Sequence, residues 1–194
     1  LIGAVWSGRP HKPSGPVLAF EYGGSGRASK LFRVRRAMRE AGAGALLVST
    51  LDDVAWLTGL RGSDVACTPV FLAFVLVTVA RAVLFIDENK VPAAVRSALE
   101  ADGFCLRPYE AVWQEALEKA ARSRGPLWLD ERHTCARFVR LAQEKKLPTI
   151  GTLQPTALMK AAKSRLELSL IARAYGIRYR CVERREELED AVHE

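Results

Sequence analysis

Residues 70–86 are apolar almost without interruption; only Thr78 and Arg81 carry polar side chains there. The run is rich in β-branched and aromatic residues, which fit a pleated and buried surface. Residues 70–79 read as one buried strand and residues 82–86 as a second. Only Ala80 and Arg81 separate them, which implies a hairpin. Strands that are apolar at successive positions leave no face for water, so both faces of their sheet must be covered. The longest apolar run, residues 70–80, is too short to cross a bilayer.

The segments after this hairpin supply the cover. Residues 91–101 read as a helix closed by Asp102 and Gly103, residues 104–107 as a strand, and residues 109–122 as a helix. Residues 127–129, 134–144 and 147–151 then read as strand, helix and edge strand. Before the hairpin, Ser29 offers an N-cap for a helix carrying Leu31, Val34 and Met38 that ends near Gly42 and Gly44. Residues 46–48 form a short apolar strand, and Thr50 or Leu51-Asp52 opens a helix that stops at Gly59. The alternation predicts an α/β fold, a mixed sheet flanked by helices, over residues 29–153.

The two ends differ in kind. Residues 1–28 are punctuated by Gly and Pro and read as a linker, with Trp6 and Tyr22 as candidate anchors. Ser164 and Glu167 form a capping-box pattern. Leu166, Leu170, Ile171, Ala174, Ile177, Cys181 and Val182 then recur at helical spacing. Gly176 costs this long C-terminal helix only a modest penalty. Such a stripe needs a partner, either the α/β domain or sequence outside these 194 residues. The chain opens on Leu1 instead of Met, which points to a longer parent.

Composition excludes several function classes. A chain with 49% hydrophobic and 26% charged residues is a globular protein, not a disordered one. The net charge of +7 would attract phosphates. However, Arg33, Arg35, Arg36 and Arg39 share one helix, the other bases are scattered among acids, and no stacking aromatics accompany them, so nucleic-acid binding is not expected. Cys67, Cys105, Cys135 and Cys181 are too dispersed for a zinc site and read as free, buried or half-buried thiols in a reducing compartment. The isolated His133 and Cys135 do not alter that reading.

No catalytic constellation emerges. Gly62-Ser63-Asp64 is not a nucleophile elbow. Gly23-Gly24-Ser25-Gly26 lacks the strand and the Lys-Ser/Thr pair of a phosphate loop, so it reads as a flexible entry into the first helix. Asp52 and Asp53 point about 100° apart on a helix, and read as N-terminal capping acids that do not converge on one atom. Arg61 and Asp64 are expected to form an ion pair that folds the loop between them, the alternative being that they face a ligand. Trp6, Trp56, Trp113 and Trp128 are dispersed and read as anchors in core and linker.

Several ordered motifs resemble the aminopeptidase P branch of the creatinase/prolidase family. Trp6-Ser7-Gly8-Arg9-Pro10 is similar to the Trp-x-x-Arg-Pro before the middle domain of its three-domain members. Leu51-Asp52-Asp53-Val54-Ala55-Trp56, followed by Leu60-Arg61-Gly62-Ser63-Asp64 and Pro69-Val70-Phe71, resembles the strongest signature of that domain. Leu84-Phe85-Ile86-Asp87 with Lys90, Arg107-Pro108-Tyr109 and Leu127-Trp128-Leu129-Asp130 fall in matching order. Lys160, Lys163 and Glu167 resemble the connection into the catalytic domain.

The resemblance implies a creatinase N-terminal-like fold with a ribonuclease H-like motif, followed by residues 154–194 as connection and first helix of an absent catalytic domain. It implies a cytoplasmic parent enzyme that removes the N-terminal residue from Xaa-Pro peptides, using two metal ions, usually manganese, in that absent domain. This chain by itself carries no catalytic or metal-ligating residue under that reading. Its role is to scaffold the catalytic domain and limit access to short proline-containing peptides, with Arg61, Ser63 and Asp64 as candidate interdomain or substrate-access contacts. Homodimerisation stays open. The rival expectation is a stand-alone protein-interaction module that reuses the fold.

Overall fold

The computed structural model of the protein describes residues 5–20 and 26–177. In chain order the elements are β1 (Leu18–Ala19), α1 (Arg27–Glu40), β2 (Ala45–Val48), α2 (Leu51–Thr58), β3 (Leu60–Arg61), β4 (Ala73–Thr78) and β5 (Ala82–Ile86). They continue as α3 (Ala93–Ala101), β6 (Phe104–Pro108), α4 (Val112–Ala121), β7 (Leu127–Trp128), α5 (Ala136–Glu144), β8 (Thr149–Ile150), α6 (Pro155–Ala161) and α7 (Arg165–Ala174). Short 3-10 turns at Glu88–Lys90 and Tyr109–Ala111 precede α3 and α4.

The central sheet runs β6-β5-β4-β2-β7-β8. Strand β4 pairs antiparallel with both β5 and β2, so the expected hairpin is present, while the β5–β6, β2–β7 and β7–β8 pairs are parallel. Successive residues of each strand feed opposite layers, because side chains alternate along extended backbone. Leu46, Val48, Val75, Val77, Leu84 and Ile86 join the core under α1, α2 and α3. Ala45, Leu47, Phe74, Leu76, Val83 and Phe85 join the core under α4 and α5. The continuous apolar strands are therefore the middle layer of a three-layer stack.

Several local expectations require correction. Gly26, not Ser29, is the N-cap of α1, so Ser29 lies inside the first turn. Trp6 is about half exposed and does not anchor the N-terminal segment; Val17, fully buried, does. Val17 donates its N–H to the Lys90 carbonyl, and Leu18–Ala19 pairs with Leu60–Arg61 in a small second sheet. Cys67, Cys105 and Cys135 are exposed, not buried. Helix α7 ends at Ala174, and Gly176 at φ +66° closes it; a left-handed residue terminates a helix instead of merely weakening it. The expected anchor Tyr22, the glycines Gly23 and Gly24, and the distal stripe residues Cys181 and Val182 lie outside the described residues. No described helix is long and apolar enough to cross a membrane.

Phe85 is fully buried, whereas Phe32 on α1 is mostly exposed. Phe85→Ala should therefore cost about 3–5 kcal/mol, and Phe32→Ala should stay within about 0.5 kcal/mol of the parent chain. Urea-denaturation midpoints for the two variants test that contrast.

Candidate interdomain site

Strands β2 and β7 both finish at the same end of the sheet, and the residues that follow β2 build a polar junction there. Thr50 is the N-cap of α2, and its hydroxyl donates to Asp53 Oδ2 at 2.9 Å instead of capping a backbone amide. Asp53 is only 4% exposed. A carboxylate that deep must be compensated by donors and positive charge. Thr156 Oγ1 donates to Oδ2 at 3.2 Å, and the Lys160 ammonium lies 2.7 Å from Oδ1. The same ammonium donates to Asp52 Oδ2.

The two aspartates thus meet at one cation, contrary to the expectation that adjacent helical acids cannot converge. Their side chains do diverge along α2. The convergence is made by a long lysine arriving from α6, which spans the angle between them. Burial acts against charge on Lys160, but its hydrogen bonds to Asp52 and Asp53 prevail and raise its pKa. Burial likewise pushes the Asp52 carboxyl upward, and the Lys160 contact outweighs it and holds the pKa below the ordinary value.

Around this contact α6 is seated on the α/β domain by further buried groups. Pro155 at the first turn and Thr156 are buried. Gln154, 3% exposed, donates its side-chain amide to the Leu47 carbonyl at the end of β2. Ser164 and Glu167 then form the expected capping box, with Glu167 N donating to Ser164 Oγ at 3.2 Å and Ser164 N to Glu167 Oε2 at 2.8 Å. Past that cap, Leu166, Ile171, Tyr175 and Ile177 are exposed, as are Leu153 just before α6 and Leu158 on it.

A cleft of about 250 Å³ separates α7 from α1 and α2, lined by Lys30, Trp56, Met159, Lys163 and Glu167 among others. Lys30 is 3% exposed, donates to the Trp56 carbonyl at 2.7 Å, and lies 5.0 Å from the centre of the Trp56 ring. Burial lowers its pKa to about 8; Glu167 opposes this, while Arg61, Arg27 and Arg33 add to it. Lys30, in the first turn of α1, is marked in the sequence only by its resemblance to the start of the family domain's first helix; its burial leaves no local signal, because a buried and an exposed lysine look alike in a string.

The expected Arg61–Asp64 pair does not form. Arg61 donates to the carbonyls of Ala55 at 3.1 Å and Leu60 at 2.8 Å and stacks on Phe20 at 4.3 Å. The Asp64 carboxylate has no exposed surface; its Oδ2 accepts from Leu72 N at 2.7 Å and from the buried Lys90 ammonium. Asp64 is therefore a structural ion that fastens the loop to the turn before α3. Ser63 is exposed, with its Oγ close to Gly15. Among the described residues, no group of three or more His, Cys, Asp or Glu is placed to hold a metal ion, so these described residues do not fit the metal centre that the resemblance attaches to the parent.

Comparisons with known proteins agree on a relationship. The sequence profile of the Creatinase/Prolidase N-terminal domain matches residues 8–167. A probable Xaa-Pro aminopeptidase P of Neurospora crassa is 40% identical over 128 residues, covering 63% of this chain and 19% of that protein. Xaa-Pro aminopeptidase 1 of Dictyostelium discoideum is 32% identical over 168 residues, covering 86% of this chain and 26% of that protein. This chain thus spans between about a fifth and about a quarter of the length of these curated relatives. The crystal structure of X-prolyl aminopeptidase from Caenorhabditis elegans, described as a cytosolic enzyme with a di-nuclear active site, superposes with a TM-score of 0.79 at 21% identity. It covers 87% of this chain and 28% of that one, and at that identity it establishes the fold alone.

The buried Lys30 predicts a pH dependence of defined sign. Its pKa in the folded chain is about 8 against an ordinary 10.5, so between those values the unfolded chain binds more protons. Stability must then rise with pH across that window. Lys30→Met should remove that rise, a difference of about 1–3 kcal/mol between pH 7 and pH 10, measured by urea unfolding of both chains at each pH.

Proposed function

We propose, because the chain belongs to the creatinase/prolidase N-terminal domain family, that it is the non-catalytic scaffold and substrate-access domain of a proline-specific metallo-aminopeptidase. The observation that carries this reading is the junction. Residues resembling the family's connection into the catalytic domain, Lys160 and Glu167, are locked onto the signature residues Asp52 and Asp53 and onto the Ser164 cap. The same end of the molecule exposes Leu158, Leu166, Ile171 and Tyr175, an apolar face of the kind that seats a neighbouring domain.

In this reading the catalytic domain of the parent holds the metal ions, manganese by resemblance, and this domain supplies a rigid wall beside it. Arg61 and Ser63, presented by the loop that Asp64 and Lys90 fasten, restrict entry to short proline-containing peptides. Rigidity matters because a wall that moves cannot exclude by size. The exposed thiols fit a reducing, cytoplasmic setting.

A second reading, a stand-alone interaction module, is favoured by the same exposed apolar face, which would then seat a separate protein. The coding sequence after Glu194 separates the two. Two Asp, a His and two Glu in order there support the peptidase reading; a stop codon near Glu194 supports the module.

The purified 194-residue chain should not hydrolyse a short Xaa-Pro peptide with added manganese. Proline-specific release of the N-terminal residue, followed by chromatography, would overturn the assignment. In the full parent, Ser63→Trp should raise KM for longer peptides while leaving the shortest substrates unchanged.

A further inference from the structure

At the opposite end of the sheet, where β2, β5 and β7 begin, lies a cavity of about 450 Å³. One wall is the β4–β5 turn, with Val79, Ala80 and Arg81; the other is the end of α4 and the loop after it, with Lys119, Arg122 and Arg124. Thr78 fixes the turn: its N–H donates to the Arg81 carbonyl at 2.8 Å, and its hydroxyl oxygen accepts from Arg81 N at 3.1 Å. Gly44 closes the base. A Cβ there would stand 2.4 Å from the Arg124 carbonyl oxygen, so only glycine allows the two backbones to approach.

The charge of this cavity is one-sided. Among the described residues, four cationic side chains line it and no acid does. Lys119 is partly neutralised by Glu115 at 2.6 Å, but among the described residues Arg81, Arg122 and Arg124 have no ion-pair partner. Cations in the last turn of a helix and at its C-cap complement its dipole, which accounts for Lys119 and Arg122. That effect does not account for Arg81, which comes from a hairpin on the other wall and faces the same space. Val79, 62% exposed, and buried Val83 add apolar surface between the charges.

We propose that this cavity binds a small organic anion, an apolar body bearing a phosphate or carboxylate group. Guanidinium groups on two walls offer paired N–H donors to such a head group. The volume is that of a small-molecule site and too small for a folded partner. The inference uses none of the residues of the α6 junction, so it stands or falls separately from the peptidase reading.

Titration of the 194-residue chain by calorimetry with phenyl phosphate, phenylacetate and inorganic phosphate tests it. The expected result is saturable one-to-one binding of at least one aryl anion, tighter than inorganic phosphate and weakened by salt. Whichever aryl anion binds more tightly identifies the head group. Arg81→Glu and Arg124→Glu should each weaken that binding about tenfold or more. Val79→Asp, at an exposed position that leaves the core intact, should do the same. The proposal is overturned if neither aryl anion saturates at millimolar concentration, if inorganic phosphate binds as tightly, or if folded variants bind like the parent chain.

Discussion

A buried carboxylate that would be intolerable alone organises one end of this molecule. Asp53 sits on the first turn of α2, almost without solvent, and its charge is acceptable only because Thr50, Thr156 and Lys160 surround it. Two of those three partners come from α6, far along the chain. Satisfying one aspartate therefore fixes where α6 lies, and α6 in turn fixes Ser164 and the start of α7. A hydrophobic contact would have held these helices together without choosing their register; a carboxylate with directed donors chooses it.

The layers beneath follow from a simpler constraint. Strands β4 and β5 have no polar face, so helices must cover both sides, and the alternation of Val75 with Leu76 or Leu84 with Phe85 distributes side chains evenly between the two cores. The junction is built on the loops at one end of this rigid sheet, and the cationic cavity on those at the other. Separation by a packed sheet lets the two ends serve different purposes, since substitutions at one need not disturb the other.

Much of the fold was legible from sequence, for reasons that can be named. Apolar runs with punctuating Gly or Asp-Gly located β2, β4, β5, α2 and α3 to within a few residues, because burial and helix termination act locally. The creatinase N-terminal-like fold implied by the ordered motifs is the fold found, and the profile match over residues 8–167 places the chain in that family. What local pattern does not carry is lateral order: nothing in residues 127–129 tells β7 to cross the sheet and pair with β2 instead of following β6. The site was less legible for the same reason. Arg61 and Asp64 are close in sequence and opposite in charge, yet Lys90 claims Asp64 because the interior offers that carboxylate no water. Lys160 stood out only as a family resemblance, and its union with Asp52 and Asp53 is a purely tertiary event.

The Asp53–Lys160 contact couples α2 to α6 and so holds the junction in place. A double-mutant cycle with Asp53→Asn, Lys160→Gln and the double variant, followed by urea unfolding, tests it most directly. Coupling between the two helices should appear as an interaction energy of at least about 1 kcal/mol. Single-variant effects that add to within about 0.3 kcal/mol would contradict it.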